Sequence, residues 1–171
     1  LGQTIPFAGE YGISKNPESF ASESYRVYFT DKVRGTVMRL SKDGLTAISD
    51  HGMKDWFRDN LKIATTIIGS YDDRQQEYNV TLKKQSNSDH KTVSFREDVK
   101  GWVSFKSFIP EHGVSCANEY YTFINGHIWK HNTEDNFPLP NDIAMPAQTQ
   151  RNTFYLPPGT PNDALEAFFS P

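Results

Sequence analysis

The chain has 171 residues, 36% of them hydrophobic and 13% aromatic, and a formal net charge of −3. That length suits one domain or two small ones and is enough to bury a core without disulfides or metal. Charges of both signs are mixed along it with no basic block, which excludes the electrostatic footprint of a nucleic-acid binder, and the lone Cys116 excludes an internal disulfide and a cysteine-based zinc site.

Flanked by Ser115 and Ala117, Cys116 reads as a small buried residue, not a nucleophile. No stretch approaches the roughly 20 apolar residues of a membrane span. The chain opens on Leu1 without a charged and then apolar leader, and it is expected to be a piece of a larger protein. The aromatic content favours strands and broad contact surfaces over helical bundles.

Residues 1–24 carry Gly2, Gly9, Gly12, Pro6 and Pro17 and read as a loop-rich segment, with one short strand over 5–8. The run YRVYFTDKVRGTVMRLS predicts a hairpin turning at DKVRG. Asp43-Gly44 then supplies a second hairpin turn, followed by a third strand over 45–48. Val37 and Met38 are adjacent, so the alternation places only one of them on each face. Over 50–62 the period changes: Met53, Trp56, Phe57 and Leu61 stripe one face of a helix, with Ser49 or Asp50 as its cap.

The strand pattern returns at Thr65. IIGSYDDRQQEYNVTL predicts a hairpin with DDRQQE at its tip and Tyr78, Val80 and Leu82 on one face. Lys83 and Lys84 read as a solvated strand end. After the SNSDH break, VSFREDVKGWVSF predicts a hairpin with Val93 and Phe95 set against Val103 and Phe105. After the IPEHG break, EYYTFINGHIWKH predicts another, closed by Asn125-Gly126, both of whose positions require φ > 0. Residues 132–171 are proline-rich with little periodicity and read as an irregular tail that wraps the surface or reaches a neighbour; a short helix from Thr160 or a strand end are both open there.

The expected fold is therefore mainly β: antiparallel hairpins in propeller-blade-like sheets, one amphipathic helix and a long irregular C-terminal tail. The domain reading is 1–24 loop-rich, 25–131 β-rich and blade-like, 132–171 tail. The blade element rests on a weak repeat. Phe29 precedes Asp31, Tyr71 precedes Asp72 and Asp73, Phe95 precedes Glu97 and Asp98, and Phe123 precedes Asn125-Gly126. Two hairpins per roughly 40–50 residues is the spacing of four-stranded propeller blades, although any antiparallel sheet strings hairpins at similar intervals. Two to three blades do not close a ring.

The runs SKNPESFASESYRVYFTDKVRGTVMRLSKDGLTAIS, IIGSYDDRQQEYNVTL, VSFREDVKGWVSFKSFIPE and NEYYTFINGHIWKHN, taken in that order over residues 5–131, resemble large virion structural proteins of tailed bacteriophages, marine ones in particular. The resemblance implies a non-enzymatic tail or neck component, on a propeller in some such proteins, located in the phage particle and in the host cytoplasm before assembly. It implies other virion proteins, and further copies of the chain, as partners, with no nucleic acid, membrane or cofactor. It carries no catalytic residues, and the chain after Asn132 departs from the pattern.

The residues themselves offer little chemistry. No glycine-rich phosphate loop, H-E-x-x-H or G-x-S-x-G is present. His127 and His131 fall on one face of a strand with Trp129 between them, but no third metal ligand is placed, so no metal site is expected. Asp72, Asp73, Glu97 and Asp98 read as solvated carboxylates at hairpin tips; the alternative is a glycosidase pair or a Ca²⁺ site. Asn79-Val80-Thr81 fits the glycosylation sequon by chance.

The contact candidates are tryptophans on polar faces. Trp102 aligns with Ser104 and Lys106, opposite Val103 and Phe105. Trp129 aligns with His127 and His131, opposite Ile128. Such a face stacks on sugar or anchors a partner, or else lies under a second layer of the fold. The alternatives to a virion scaffold are accordingly a receptor- or carbohydrate-binding module of a phage fibre, and a depolymerase fragment.

Overall fold

The computed structural model describes residues 9–86 and 89–132, together with the backbone of 154–155. Among the described residues the protein is mainly β, with three antiparallel four-stranded sheets and one α-helix, α1 (Lys54–Ile63). Each sheet is a meander whose strands pair in chain order. Sheet 1 holds β1 (Ala21–Ser22), β2 (Val27–Asp31), β3 (Thr36–Ser41) and β4 (Gly44–Ala47). Sheet 2 holds β5 (Thr66–Asp72), β6 (Glu77–Lys83), β7 (Lys91–Arg96) and β8 (Gly101–Lys106). Sheet 3 holds β9 (His112–Cys116), β10 (Glu119–Ile124), β11 (His127–Lys130) and β12 (Phe154–Tyr155).

The expected hairpins of sheets 1 and 2 form where alternation and turn residues coincide. The expected strand over 5–8 lies outside the described residues, as does most of the 132–171 tail. Phe154–Tyr155 pairs with β11, so at that point the tail is strand, not irregular. No helix among the described residues is long and apolar enough to cross a membrane.

Turn chemistry explains both a success and a miss. Asn125 and Gly126 have φ of 51° and 75°, the all-positive pair of a tight type I′ hairpin turn. The turn between β9 and β10 has the same form at Ala117 (φ 50°) and Asn118 (φ 61°). Alanine rarely takes that conformation, because its Cβ crowds the following carbonyl, so β9 is absent from the sequence reading. Within sheet 2, Ser94 opposes Ser104 but Phe95 opposes Trp102, leaving Val103 as the extra residue of a β-bulge. The bulge overturns the expected Phe95–Val103 pairing and turns Trp102 towards the core.

Sheet 2 is the centre of the molecule. One face carries Ile67, Tyr71, Tyr78, Val80, Leu82, Val93 and Phe95, which form the core with Tyr28, Val37 and Ile48 from the sheet 1 side and Phe57, Leu61 and Ala64 from the helix region. The helix stripe behaves as read: Phe57 and Leu61 are buried, and Met53 and Trp56 pack on the same core. The cap differs. Ser49 and Asp50 lie in a 3-10 turn (Ile48–Asp50), and α1 starts after Met53 with no side-chain cap. Asp55 in its first turn and Lys62 in its last complement the helix dipole. Val37 and Met38 are both buried, so both faces of sheet 1 are covered there.

Two glycines set how closely the sheets approach. A Cβ on Gly69 of β5 would fall 1.9 Å from the Ser19 carbonyl oxygen, just ahead of β1. A Cβ on Gly113 of β9 would fall 2.5 Å from the Tyr120 hydroxyl oxygen and 2.8 Å from Ser70 Oγ on β5. Neighbouring residues of a strand point to opposite faces, so Gly69 and Ser70 turn β5 to sheet 1 on one side and to β9 on the other.

Candidate functional site

The face of sheet 2 opposite the apolar core is polar and nonetheless buried. Ser70, Asn79, Ser94 and Ser104 form one cross-strand row. Thr81, Thr92 and Lys106 form a second, and Asp72, Glu77 and Arg96 a third. Ser70, Asp72, Glu77, Asn79, Thr81, Thr92 and Ser94 are all buried. Burying a hydroxyl or amide costs free energy unless it is hydrogen-bonded, and this seam meets that condition in detail.

Tyr120, on β10, is the central side chain. Its hydroxyl lies 2.6 Å from Ser70 Oγ and also hydrogen-bonds Asn79, whose Oδ1 accepts from Ser94 Oγ. Burial pushes the phenol far above the ordinary tyrosine range. Thr92 Oγ1 donates to the Phe108 carbonyl at 2.7 Å, which leaves Thr81 as the donor in the 2.8 Å bond between the two threonines. At the seam's edge, Ser115 Oγ donates to the Tyr71 carbonyl at 2.9 Å and accepts from the Asp73 amide at 2.9 Å.

Charges close the two ends. Lys106 Nζ lies 2.6 Å from Glu77 Oε2. Arg74 Nη1 reaches Glu119 Oε2 at 3.2 Å and the Asn132 carbonyl at 3.0 Å, and Asn132 Nδ2 donates to Asp72 Oδ2 at 3.3 Å. Asp72 also accepts from the Arg74 and Gln75 amides, each at 3.0 Å. Burial outweighs these bonds and raises its pKa.

His131 is 8% exposed, its ring 4.5 Å from Phe108 and 5.1 Å from Tyr120 between centroids. Its Nε2 shares a 2.7 Å hydrogen bond with Thr122 Oγ1. Burial, with a smaller contribution from Lys106, lowers its pKa to about 4, so the ring is neutral near pH 7.

No protein-family model matches this chain, and no curated protein matches it.

The residues singled out in the sequence distribute unevenly over this seam. Lys106 and His131 belong to it. Trp129 and His127 are half-buried on β11, opposite Thr122 and Ile124. Trp102 is elsewhere: the bulge turns it to the apolar side, where it packs 4.4 Å from Phe57 and 5.3 Å from Phe95 and donates Nε1–H to the Ile48 carbonyl at 3.0 Å. The expectation that Trp102 shares a polar face with Ser104 and Lys106 is therefore corrected. Among the described residues, no three His, Cys, Asp or Glu side chains are grouped to hold a metal ion.

The acidic tips also need correction. Asp73 and Asp98 are exposed, but Asp72 is buried and Glu97 bridges two sheets. Glu97 Oε1 accepts from the Tyr28 hydroxyl at 2.9 Å, and Oε2 accepts from Arg39 Nη1 at 2.8 Å. Lys84, expected in solvent, is largely covered and donates to Asn60 Oδ1 at 2.9 Å and pairs with Asp89. Cys116 is half-buried. Asn79, within the sequon, is 2% exposed and sealed in the seam. The sequence reading missed Tyr120, Ser70, Thr81 and Thr92. The alternation E-Y-N-V-T-L marks a polar face, yet only sheet 3 lying over it makes that face interior.

Proposed function

We propose that this chain is a non-enzymatic scaffold module of a tailed-phage virion, its four-stranded meanders acting as blades of a propeller-type tail or neck component. The observation that carries the reading is the position of β5, beside β1 on one side and β9 on the other. The first strand of each meander thus adjoins the first strand of the next in chain order, as blades do around a common axis. Closed propellers use about 4–8 blades, so the free faces of sheets 1 and 3 are where further blades, other virion proteins or further copies pack. On sheet 1 that face carries the half-buried apolar row Val27–Leu40–Leu45, beside a second row, Phe29–Met38–Ala47, in which Met38 is already covered within the chain.

The scaffold reading is further supported by what the charged side chains do. Glu97 ties sheet 2 to sheet 1, and Arg74 and Asp72 tie it to sheet 3. These groups are engaged in contacts between sheets. The virion assignment rests on the resemblance carried by the four hairpin runs.

The test is to find the chain in purified phage particles by mass spectrometry and to trace it by electron cryo-microscopy. The reading expects the three meanders side by side in a tail or neck ring. Absence from the particle sinks it. Glycan-array binding lost on Trp129→Ala would favour the carbohydrate-binding module instead, and polysaccharide turnover lost on carboxylate substitution would favour the depolymerase.

A further inference from the structure

We propose that sheet 3 is an acid-released flap: protonation of His131 undocks β9–β11 from the polar face of sheet 2 while the core between sheets 1 and 2 stays folded. The two seams of sheet 2 differ in kind. The apolar core cluster contains no residue of sheet 3. Apart from the buried Tyr120 ring and Ile68, the latter on the polar face of sheet 2, sheet 3 is held by the Tyr120–Ser70 and Ser115–Tyr71 hydrogen bonds and by the Arg74–Glu119 and Asn132–Asp72 contacts. Water replaces such bonds when the seam opens, whereas it does not compensate exposed apolar surface. The polar seam is therefore the one that opens as a unit at lower cost.

His131 sits where that seam ends. Its backbone amide donates to the Tyr120 carbonyl at 2.8 Å, and its ring is enclosed by Phe108, Tyr120 and Thr122. The charged group bearing on it is Lys106 of β8, itself ion-paired to Glu77 of β6; of the titratable residues on β10, Glu119, Tyr120 and Tyr121, it is Tyr120 whose ring meets it, and Asp72 of β5 lies in the same seam. An imidazolium formed in place gains a cation as neighbour, while the carboxylate of Glu77 is already engaged.

The direction follows from linkage. The docked ring has its pKa lowered from 6.5 to about 4, so the contribution of His131 to docking is complete above 6.5 and is lost as pH falls towards 4. Between pH 7 and pH 5 this favours the open form roughly 20-fold. Asp72 works in the opposite sense: burial raises its pKa although the Asn132 hydrogen bond lowers it, so acid strengthens its contribution to the folded state.

Hydrogen exchange followed by mass spectrometry on the intact chain, corrected for the intrinsic pH dependence of exchange, separates the possibilities. The expected result is that amides of residues 112–130 lose protection roughly 20-fold more than those of 66–83 between pH 7 and pH 5, and that His131→Gln, which keeps a neutral hydrogen-bonding side chain, removes the difference. Parallel loss in both sheets, or an undiminished selective loss in His131→Gln, overturns the proposal. Should that variant not fold, an NMR titration of the wild-type His131 ring decides. Protonation coincident with the loss of sheet 3 signals supports it, and protonation near pH 6.5 with sheet 3 intact refutes it.

Discussion

The Tyr120 hydroxyl reaches across Gly113 to lie 2.6 Å from Ser70 Oγ, joining the second strand of one meander to the first strand of the meander before it. The same arrangement occurs one sheet earlier, where the Tyr78 hydroxyl lies beside Gly69 and donates to the Ser19 carbonyl at 2.8 Å. In both sheets the tyrosine sits two residues before the partner of the glycine, which is Val80 for Gly69 and Thr122 for Gly113. A small residue admits the neighbouring sheet and a phenol locks it in place.

Tyr120→Phe is expected to leave the Ser70 and Asn79 partners buried and short of a bond, at a cost of about 1–3 kcal/mol. Urea denaturation measures it. In a double-mutant cycle with Ser70→Ala, the combined loss should be smaller than the sum, because the two hydroxyls share one bond. Strict additivity would show that the contact contributes nothing.

Gly69→Ala places a methyl against the Ser19 carbonyl, a backbone atom that does not rotate away, and should cost about 3 kcal/mol. Gly113→Ala meets the Tyr120 hydroxyl oxygen at 2.5 Å and Ser70 Oγ and Cβ at 2.8 and 2.9 Å, each farther than the 1.9 Å approach at Gly69, and should cost less. The order of the two urea midpoints checks the argument, and Gly113→Ala proving the more damaging would contradict it.

Trp102→Ala is expected to destabilise the fold by about 3 kcal/mol, the low end of the range for emptying an aromatic site, because Trp102 is only partly buried against the core. Trp102→Phe retains most of the packing and loses the bond to the Ile48 carbonyl, about 1 kcal/mol. A Trp102→Ala variant as stable as wild type would mean that this side chain serves something other than the core.

Alkali should unfold the protein through its buried phenols. Burial raises the pKa of Tyr71 to about 12 and pushes Tyr28, Tyr78 and Tyr120 higher still. Their protonated forms favour the folded state, so the stability they supply is complete below pH ~10, the unfolded tyrosine value, and declines above it. Tyrosinate absorbance from these residues should therefore rise together with the loss of far-ultraviolet circular dichroism. Complete ionisation with the sheet signal intact would be the contrary outcome.

Local signals in the sequence carry much of this architecture. Val27 to Ser41 reads as a hairpin because alternation and the DKVRG turn agree, Asn125-Gly126 because both residues tolerate positive φ, and α1 because four apolar residues share a stripe. What stays hidden is non-local. Nothing near Val103 announces a bulge, so Trp102 is assigned to the wrong face. Ala117 gives no hint of a turn, so β9 goes unseen. Asn79, Thr81 and Thr92 have the alternation of a solvent face, and their burial depends on a sheet that arrives twenty and more residues later in the chain.

That dependence bears on the order in which the molecule is made. The apolar side of sheet 2 condenses with sheet 1 and α1, all encoded before β9, whereas the polar side gains nothing from collapse until matching donors and acceptors are in register. Synthesis from the N-terminus thus leaves a nascent two-sheet intermediate with a wetted, hydrophilic flank, resistant to clumping while it waits. Pulse-labelling during refolding should find β5–β8 protected before β9–β11.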